Sequence, residues 1–386
     1  SASPEIVYFQ GEVKDDYGFT KLSFNFRKYN KDSSEIKSKF TSLPIDFATE
    51  FTQSPFYHIM NKREFNLQLN EVVEYYFEVW DNDAIHGAKS SRTATQKIEM
   101  PSEKEFNEKQ EQQSNEIKDG LEKNIKKSLE VQQAIKQLSE SLMNKKNADW
   151  QDKKRMKELI QQQKELSNQN KQLLRETQNK NEEKNQIEKT SDRSKEKQEK
   201  LEKLMEELKS EEMEKLYKKL EEMMEKLDKK KLQQSLEKMD LENTDLQKEM
   251  ERTLEIFKQM EMDDKLEEFA EKMEKLAEKQ EKLANKEEKT NEEQEKLKKE
   301  FEKAEEQLKE IKEKNDELEN KKDLNELEQE KEEIKEDMNE SSKSIEKNKQ
   351  DKANESQQDA SDKMKAAAAK AKDQMSSSSS GSEENM

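Results

Sequence analysis

A chain of 386 residues that is 43% charged and 28% hydrophobic has too little apolar material for one compact core, since an ordinary globular domain is nearer one quarter charged and almost half apolar. The net charge of −18, with Lys interleaved among Glu, argues against a basic surface for DNA or RNA. With no cysteine there is neither a disulfide nor a thiolate metal site.

The prolines end at Pro101, and neither glycine nor proline occurs from Leu121 to Ser380. That contrast divides the chain into a β-rich module over 1–101, a helical coiled-coil region over 102–345 and a flexible polar tail over 346–386. In the first part side chains alternate with period two. Leu22, Phe24 and Phe26 alternate with Ser23, Asn25 and Arg27, and Phe65, Leu67 and Leu69 alternate with Asn66 and Gln68. Val73, Tyr75, Phe77 and Val79 repeat the pattern, which is that of half-buried strands. The spacing predicts strands near 5–13, 19–28, 35–41, 44–51, 63–69, 72–80 and 90–99, a set that fits a β-sandwich. Asp15-Asp16-Tyr17-Gly18 and Asp81-Asn82-Asp83 are the clearest turns.

Beyond Pro101 the period becomes helical. Ile117, Leu121, Ile125, Leu129, Ile135, Leu138 and Leu142 mark a first helix, followed by a break over Asn144 to Asp149. Met156, Leu159, Gln163, Leu166, Asn170 and Leu173 mark a second that runs on to Ile187. Lys189-Thr190-Ser191-Asp192 supplies N-cap residues for a turn. The seam restarts at Leu201, Leu204 and Leu208, then continues through Met213, Leu216, Leu220, Met223 and Leu227. Leu232, Leu236, Met239, Asn243, Leu246, Met250, Thr253, Phe257 and Met260 extend it.

After Met262-Asp263-Asp264 shifts the phase, the longest heptad seam runs from Leu266 through Phe269, Met273, Leu276, Leu283, Leu297, Phe301, Leu308 and Ile311 to Leu318. Asn320 to Asp323 shift it again, to Leu324, Leu327, Ile334, Met338 and Ile345. Each shift reads either as a skip inside one long helix or as the turn of a hairpin. Hairpins are favoured, because a fold-back buries each apolar stripe within one chain. The expected partner for the first half of the long seam is Leu216 to Met260. Gln280, Glu287, Thr290 and Gln294 are poor core residues, and Thr290 with Glu293 has capping-box spacing, so a turn near Asn285 to Asn291 is an open alternative.

Candidate chemistry is sparse. His58 and His86 are the only histidines, each in an expected loop of the β module and neither with a partner motif, so both are read as structural or solvent-facing. No catalytic, cofactor-binding or metal residue is assigned, and the expectation is a chain without enzymatic activity. The turns Asp15-Asp16 and Asp81-Asn82-Asp83 raise calcium as an alternative to turn chemistry, but a simple sandwich sets them at opposite ends. Met205, Met213, Met223, Met224, Met239, Met250, Met260 and Met273 read as core filling, with an adaptable partner surface as the alternative. Asn170, Asn243 and Asn315 fall on seam positions, where a polar residue either fixes register or is exposed. No apolar run approaches the roughly 20 residues that span a bilayer. The chain reads as a segment of a longer protein whose anchor lies outside it.

Asp15-Asp16-Tyr17-Gly18-Phe19 and Tyr75-Tyr76-Phe77-Glu78-Val79-Trp80-Asp81-Asn82-Asp83 look like the opening and closing strands of an immunoglobulin-like module. With Glu251-Arg252-Thr253-Leu254-Glu255-Ile256-Phe257-Lys258-Gln259-Met260-Glu261 and Leu276-Ala277-Glu278-Lys279-Gln280, the chain resembles the interior of large uncharacterised membrane-anchored coiled-coil proteins of Bacteroidetes. That family is a domain of unknown function with transmembrane helices near its N-terminus. The resemblance implies a cell-envelope or periplasmic location and brings no activity and no functional residues. The expected function is that of a structural, scaffolding or spacer segment that binds protein partners or itself through coiled-coil helices. The alternative is a component of a secretion or transport machine that holds client polypeptides on Met-rich helices.

Overall fold

The computed structural model describes residues 6–33, 38–49, 51–83, 88–187, 191–208, 218, 229–286 and 290–377. The chain forms two compact units, Ser1–Gln113 with Gln186–Glu188, and Ser114–Asn185 with Lys189–Met386.

Among the described residues the first unit holds seven strands in two antiparallel sheets. These are β1 (Ile6–Lys14), β2 (Phe19–Asn30), β3 (Thr41–Pro44), β4 (Gln53–Asn61), β5 (Glu71–Asp81), β6 (Ser90–Arg92) and β7 (Gln96–Glu99). One sheet is β1–β4; the other runs β3-β2-β5-β6, with β7 also on β5. The sheets face each other across Val13, Phe19, Leu22, Phe24, Ile45, Phe56, Met60 and Phe77. Alternation drives this: Leu22, Phe24 and Phe26 turn inward, while Arg27 turns outward to Glu74 at 2.6 Å.

Four strand expectations change. Of the expected strand 35–41, residues 38–40 are not extended and only Thr41 is strand, as the first residue of β3, while 35–37 lie outside the described residues. Residues 44–51 are not a strand beyond Pro44, and Gln53–Asn61 is one instead, although it contains Pro55. In a two-stranded sheet the missing Pro55 N–H faces an edge and costs no ladder bond. Residues 63–69 alternate in composition, yet Lys62–Phe65 is a 3-10 helix. Asn61 caps it by accepting from the Arg63 N–H, and Asn66 and Asn70 at φ 42° and 66° break any extended run. The segment 90–99 divides into two short strands, β6 and β7.

Among the described residues the helices are α1 (Glu103–Met143), α2 (Trp150–Ile187), α3 (Asp192–Glu207), α4 (Lys229–Ala284), α5 (Asn291–Asp316), α6 (Asn325–Glu346) and α7 (Gln350–Ser377). Side chains set most of the starts. Ser102 and Glu105 exchange hydrogen bonds of 3.2 and 2.8 Å as a capping box for α1. Asp149 and Asp152 do the same for α2, each at 3.0 Å. Ser191 caps α3, as its residue type predicts, and Thr290 caps α5 by accepting from the Glu293 N–H at 3.3 Å. Asn348, at φ 54°, ends α6 in the left-handed conformation that asparagine tolerates.

Helix α4 serves two cores. Its first half packs with α1, α2 and α3. Val131, Ile135, Leu138, Leu142, Met156, Leu159 and Ile160 meet Leu232, Leu236 and Met239, and Ile117, Leu121, Leu174, Leu201 and Met205 meet Phe257 and Met260. From Met262 onward the apolar stripe of α4 packs instead with α5, α6 and α7. Leu266, Phe269, Met273 and Leu276 join Phe301, Leu308, Ile311, Ile334, Met338, Met364 and Ala368. The phase shift at Met262-Asp263-Asp264 is therefore not a turn. One unbroken helix passes its stripe from one set of neighbours to the other.

Within the expected partner Leu216 to Met260, residues 229–260 are thus not what Leu266 to Leu318 folds back on. The described part of that segment, from Lys229, continues the same helix, and Met213, Leu216, Leu220, Met223, Met224 and Leu227 lie outside the described residues. The long seam itself folds back between Ala284 and Asn291, because Thr290 stops α4 from continuing and starts α5. Cysteines replacing Gln280 and Gln294, whose side chains bond across this hairpin at 3.0 Å, should cross-link within one chain in dilute solution. Cysteines at Leu246 and Leu276 should not, since 30 helical residues separate them by about 45 Å. The reverse pattern would contradict the hairpin.

Of the expected flexible tail over 346–386, residues 378–386 lie outside the described residues, and 350–377 are helix. Their interior side is a ladder of small residues, Ala353, Ala360, Ala367, Ala368 and Ala371, all at most 1% exposed. Alanine carries little apolar surface and so gives a weak sequence signal, but it lets α7 approach Ala270 and Ala277 of α4 closely. Ser361 donates to the Ala277 carbonyl at 3.0 Å. Lys365–Glu281 and Lys372–Glu274 pairs at 2.8 and 2.6 Å align the two helices antiparallel.

Candidate functional site

A dense polar assembly among the described residues of the helical unit surrounds the point where α4 changes neighbours. Glu261, Asp263 and Asp264 occupy successive faces of one turn there, 6%, 4% and largely buried. Asp263 holds two ammoniums, Lys197 from α3 and Lys322 from the α5–α6 connection, the latter at 2.6 Å. Lys322 also donates to the Gln374 carbonyl near the end of α7 at 2.9 Å. Asp264 pairs with Lys184 of α2 at 2.8 Å, and Glu261 with Lys314 of α5 at 3.6 Å. Lys118 of α1 reaches Glu317 at 3.0 Å, and the Glu319 N–H donates to Glu255 of α4 at 3.3 Å. The Lys180 ammonium lies 5.4 Å from the centre of the Phe257 ring.

Sequence makes this cluster by interrupting an apolar stripe with three acids. The folded chain then brings each acid a cation from a different helix. Burial is the main cause that pushes the Lys180 ammonium below its usual range, against the pull of Asp264 and Glu261. Burial also pushes Lys197 and Lys322 down to about 8. Repulsion from Lys322 and Arg193 adds to it at Lys197, and repulsion from Arg193 at Lys322. Glu268 is raised, again mainly by burial.

These shifts fix a sign. The unfolded chain keeps both lysines protonated to about pH 10.4, whereas the folded chain releases the protons from about pH 8. Between these values the unfolded state binds more protons, so these groups make stability rise with pH. Urea titrations at pH 7.5, 9 and 10 should show the wild-type chain gaining stability relative to a Lys197→Met, Lys322→Met double variant. A constant difference across that range would refute the assignment.

Two buried polar layers flank the cluster. Toward the α1–α2 turn, Asn124 donates to Asn170 at 2.7 Å, and Ser128 and Gln163 both donate to Asn243. Asn124 and Ser128 occupy interior positions that the apolar reading of α1 passes over, while Leu129, expected in the seam, is 38% exposed. On the other side Gln294 Oε1 accepts from Gln280, Ser341 and Gln357 at 3.0, 3.1 and 2.9 Å, joining α4, α5, α6 and α7. Of the three asparagines picked out on the seam, Asn170 and Asn243 are buried in these bonds. Asn315 is 8% exposed and closes the α5–α6 turn through Lys322, accepting from its N–H at 2.7 Å and donating to its carbonyl at 2.9 Å.

The remaining sequence candidates fall elsewhere. His58 lies not in a loop but on β4, in the β core 4.5 Å from the Phe24 ring centre, where burial lowers its pKa. His86 lies outside the described residues. The two acidic turns are not at opposite ends. Phe19 pairs with Asp81 where β2 starts and β5 ends, and Asn82 donates to the Tyr17 carbonyl. Their carboxylates are engaged by backbone N–H groups: Asp15 accepts from Tyr17 and Gly18 at 3.0 and 3.1 Å, and Asp81 from Asp83 and Lys89 at 3.3 and 2.8 Å. Among the described residues no group of three acidic or histidine side chains converges as a metal site. Met205, Met239, Met250, Met260 and Met273 are all at most 2% exposed. Among the described residues no helix is long and apolar enough to cross a membrane. No protein-family model, curated protein or solved structure matches the chain.

Proposed function

We propose that this chain is a non-enzymatic scaffolding or spacer segment of a cell-envelope protein. Its β unit would be an immunoglobulin-like sandwich and its helices a coiled-coil assembly with protein partners. The envelope location rests on the resemblance to membrane-anchored Bacteroidetes proteins. The observation that carries the reading is α4: Glu255, Glu261, Asp263 and Asp264 tie α2, α3, α5 and the α5–α6 connection to the middle of one 56-residue helix. Buried ion pairs contribute little net stability, but they penalise wrong pairings. That suits a segment whose task is to hold spacing and register. The perturbed lysines are each matched to a carboxylate or an aromatic ring, an arrangement that structural ion networks produce as readily as active sites do.

The client-holding alternative needs methionines on a surface, and the described seam methionines are interior. Two assays separate the readings. The purified chain should turn over no substrate in a panel of esters, phosphates, glycosides and peptides, and it should not retain a permanently unfolded, reduced model protein. Hydrolysis abolished by His58→Ala would overturn the non-enzymatic reading. Saturable retention of the unfolded probe would favour the transport alternative.

A further inference from the structure

The two sheets of the β unit are unequal. His58 of β4 lies 4.5 Å from Phe24 of β2 and 5.7 Å from Phe77 of β5. Phe9 of β1 lies 5.7 and 5.2 Å from Tyr75 and Phe77, both on β5. So β4 covers β2 and β5, β1 covers β5, and β6 and β7, bonded to the far side of β5, extend past β1. The packing records the overhang. Leu22 and Phe24 beneath β4 are each 2% exposed, whereas Val7, Phe9, Tyr75, Val79 and Ile98 on the β1 flank are only half-buried.

The edge of β1 beside this flank is open. Among the described residues, Ile6–Lys14 makes backbone hydrogen bonds to β4 alone. Edge strands are ordinarily blunted by proline, a bulge or an inward charge. β1 has no proline, its register with β4 is unbroken for nine residues, and its inward positions are Val7, Phe9, Gly11 and Val13. The opposite edge, on β4, carries Pro55.

We propose that the β1 edge is a docking site for an extended peptide of another polypeptide, which adds as a third strand beside β1 and lays alternate apolar side chains over Ile98. Main-chain bonding to the open edge supplies affinity, and the half-covered flank selects alternation. A second copy of the β unit does not fit. Two β1 edges paired at the usual ~4.8 Å spacing would drive the overhanging β7 strands of the two copies into the same space. The outer face, where Ile6, Tyr8, Tyr57 and Ile59 are exposed, offers side chains only, because the free main-chain donors and acceptors of β1 lie in the plane of the sheet at its edge. The occupant is therefore a lone strand with Val, Ile or Leu at every second position and uncharged or polar residues between them. This proposal does not depend on the scaffolding reading of the helices.

The test uses the 386-residue chain and fluorescein-labelled ten-residue peptides read by anisotropy. One peptide alternates Val and Thr. A second has the same composition in apolar and polar blocks. Two more are the alternating peptide N-methylated at its odd or its even amides, so that one of them loses the donors facing β1. The alternating peptide should bind, and the block isomer and one N-methylated peptide should bind at least about tenfold more weakly. Val7→Lys and Ile98→Lys should each weaken binding to the same extent, while Tyr57→Ser on the outer face should leave it unchanged. If Val7→Lys unfolds the β unit, Ile98→Lys and the N-methylated pair still decide. Three results would overturn the proposal: no binding of the alternating peptide at millimolar concentration, equal binding of both N-methylated forms and the parent, or a concentration-dependent dimer that Ile98→Lys abolishes.

Discussion

Asp263→Ala should destabilise the helical unit by about 3–5 kcal/mol, because it leaves Lys197 and Lys322 buried without the carboxylate they share. The loss is the desolvation of two ammoniums rather than the net worth of the pairs. A triple variant with Leu at Asp263 and Met at Lys197 and Lys322 should therefore recover most of the stability, since apolar replacement of a whole buried ion group is often neutral or stabilising. Glu278→Ala, which removes an ion pair with Lys282 whose partners are 70% and 78% exposed, should change stability by no more than about 0.5 kcal/mol. Urea denaturation followed by helical circular dichroism measures all three. If the single and triple variants lose stability equally, the cluster acts through packing volume and not through charge.

Phe257→Ala should cost about 3–5 kcal/mol. The ring is fully buried among Leu121, Leu174, Leu201 and Met205, and helices from α1, α2 and α3 cannot all collapse onto the space it leaves. It also faces the Lys180 ammonium, so the substitution removes that cation's nearest compensation. Phe257→Leu separates the two effects: it keeps most of the volume but removes the ring face, and should cost about 1–2 kcal/mol. A Phe257→Leu cost equal to that of Phe257→Ala would assign the effect to the ring–ammonium contact. No cost in either variant would mean that the α1–α4 core is not packed as described.

How much of this was legible beforehand differs between the two units for one reason. In the β unit, period two places a side chain on a face, and Leu22, Phe24, Phe77 and Val79 go where alternation sends them. What alternation does not encode is strand pairing. Nothing local tells that β2 begins where β5 ends, so the acidic turns at Asp15 and Asp81 looked distant and are neighbours. Phe65, Leu67 and Leu69 alternate as a strand would, but the left-handed Asn66 and Asn70 decide their backbone, and that preference becomes visible only when the surrounding sheet has no place for another strand.

In the helical unit, the 3.5-residue repeat determined that long amphipathic helices form and which of their residues, such as Leu276, Leu308 and Ile311, are interior. Caps at Ser191 and Thr290 were also local and readable. Which phase shift bends the chain was not. Met262-Asp263-Asp264 and Asn285 to Thr290 interrupt the stripe in similar ways, yet the first stays helical because cations from three other segments neutralise its acids, and the second turns because Thr290 accepts the Glu293 N–H. The polar partners Asn124, Ser128 and Gln357, and the alanine ladder of α7, were invisible to an apolar count. Their burial depends on a hydrogen-bond partner or a close-fitting helix that lies 46 to 115 residues away in sequence. Sequence alone set the period of most helices and strands, β4 and α7 excepted; only tertiary structure supplied the partners, because a helix stripe or a buried charge is stable only against the surface that covers it.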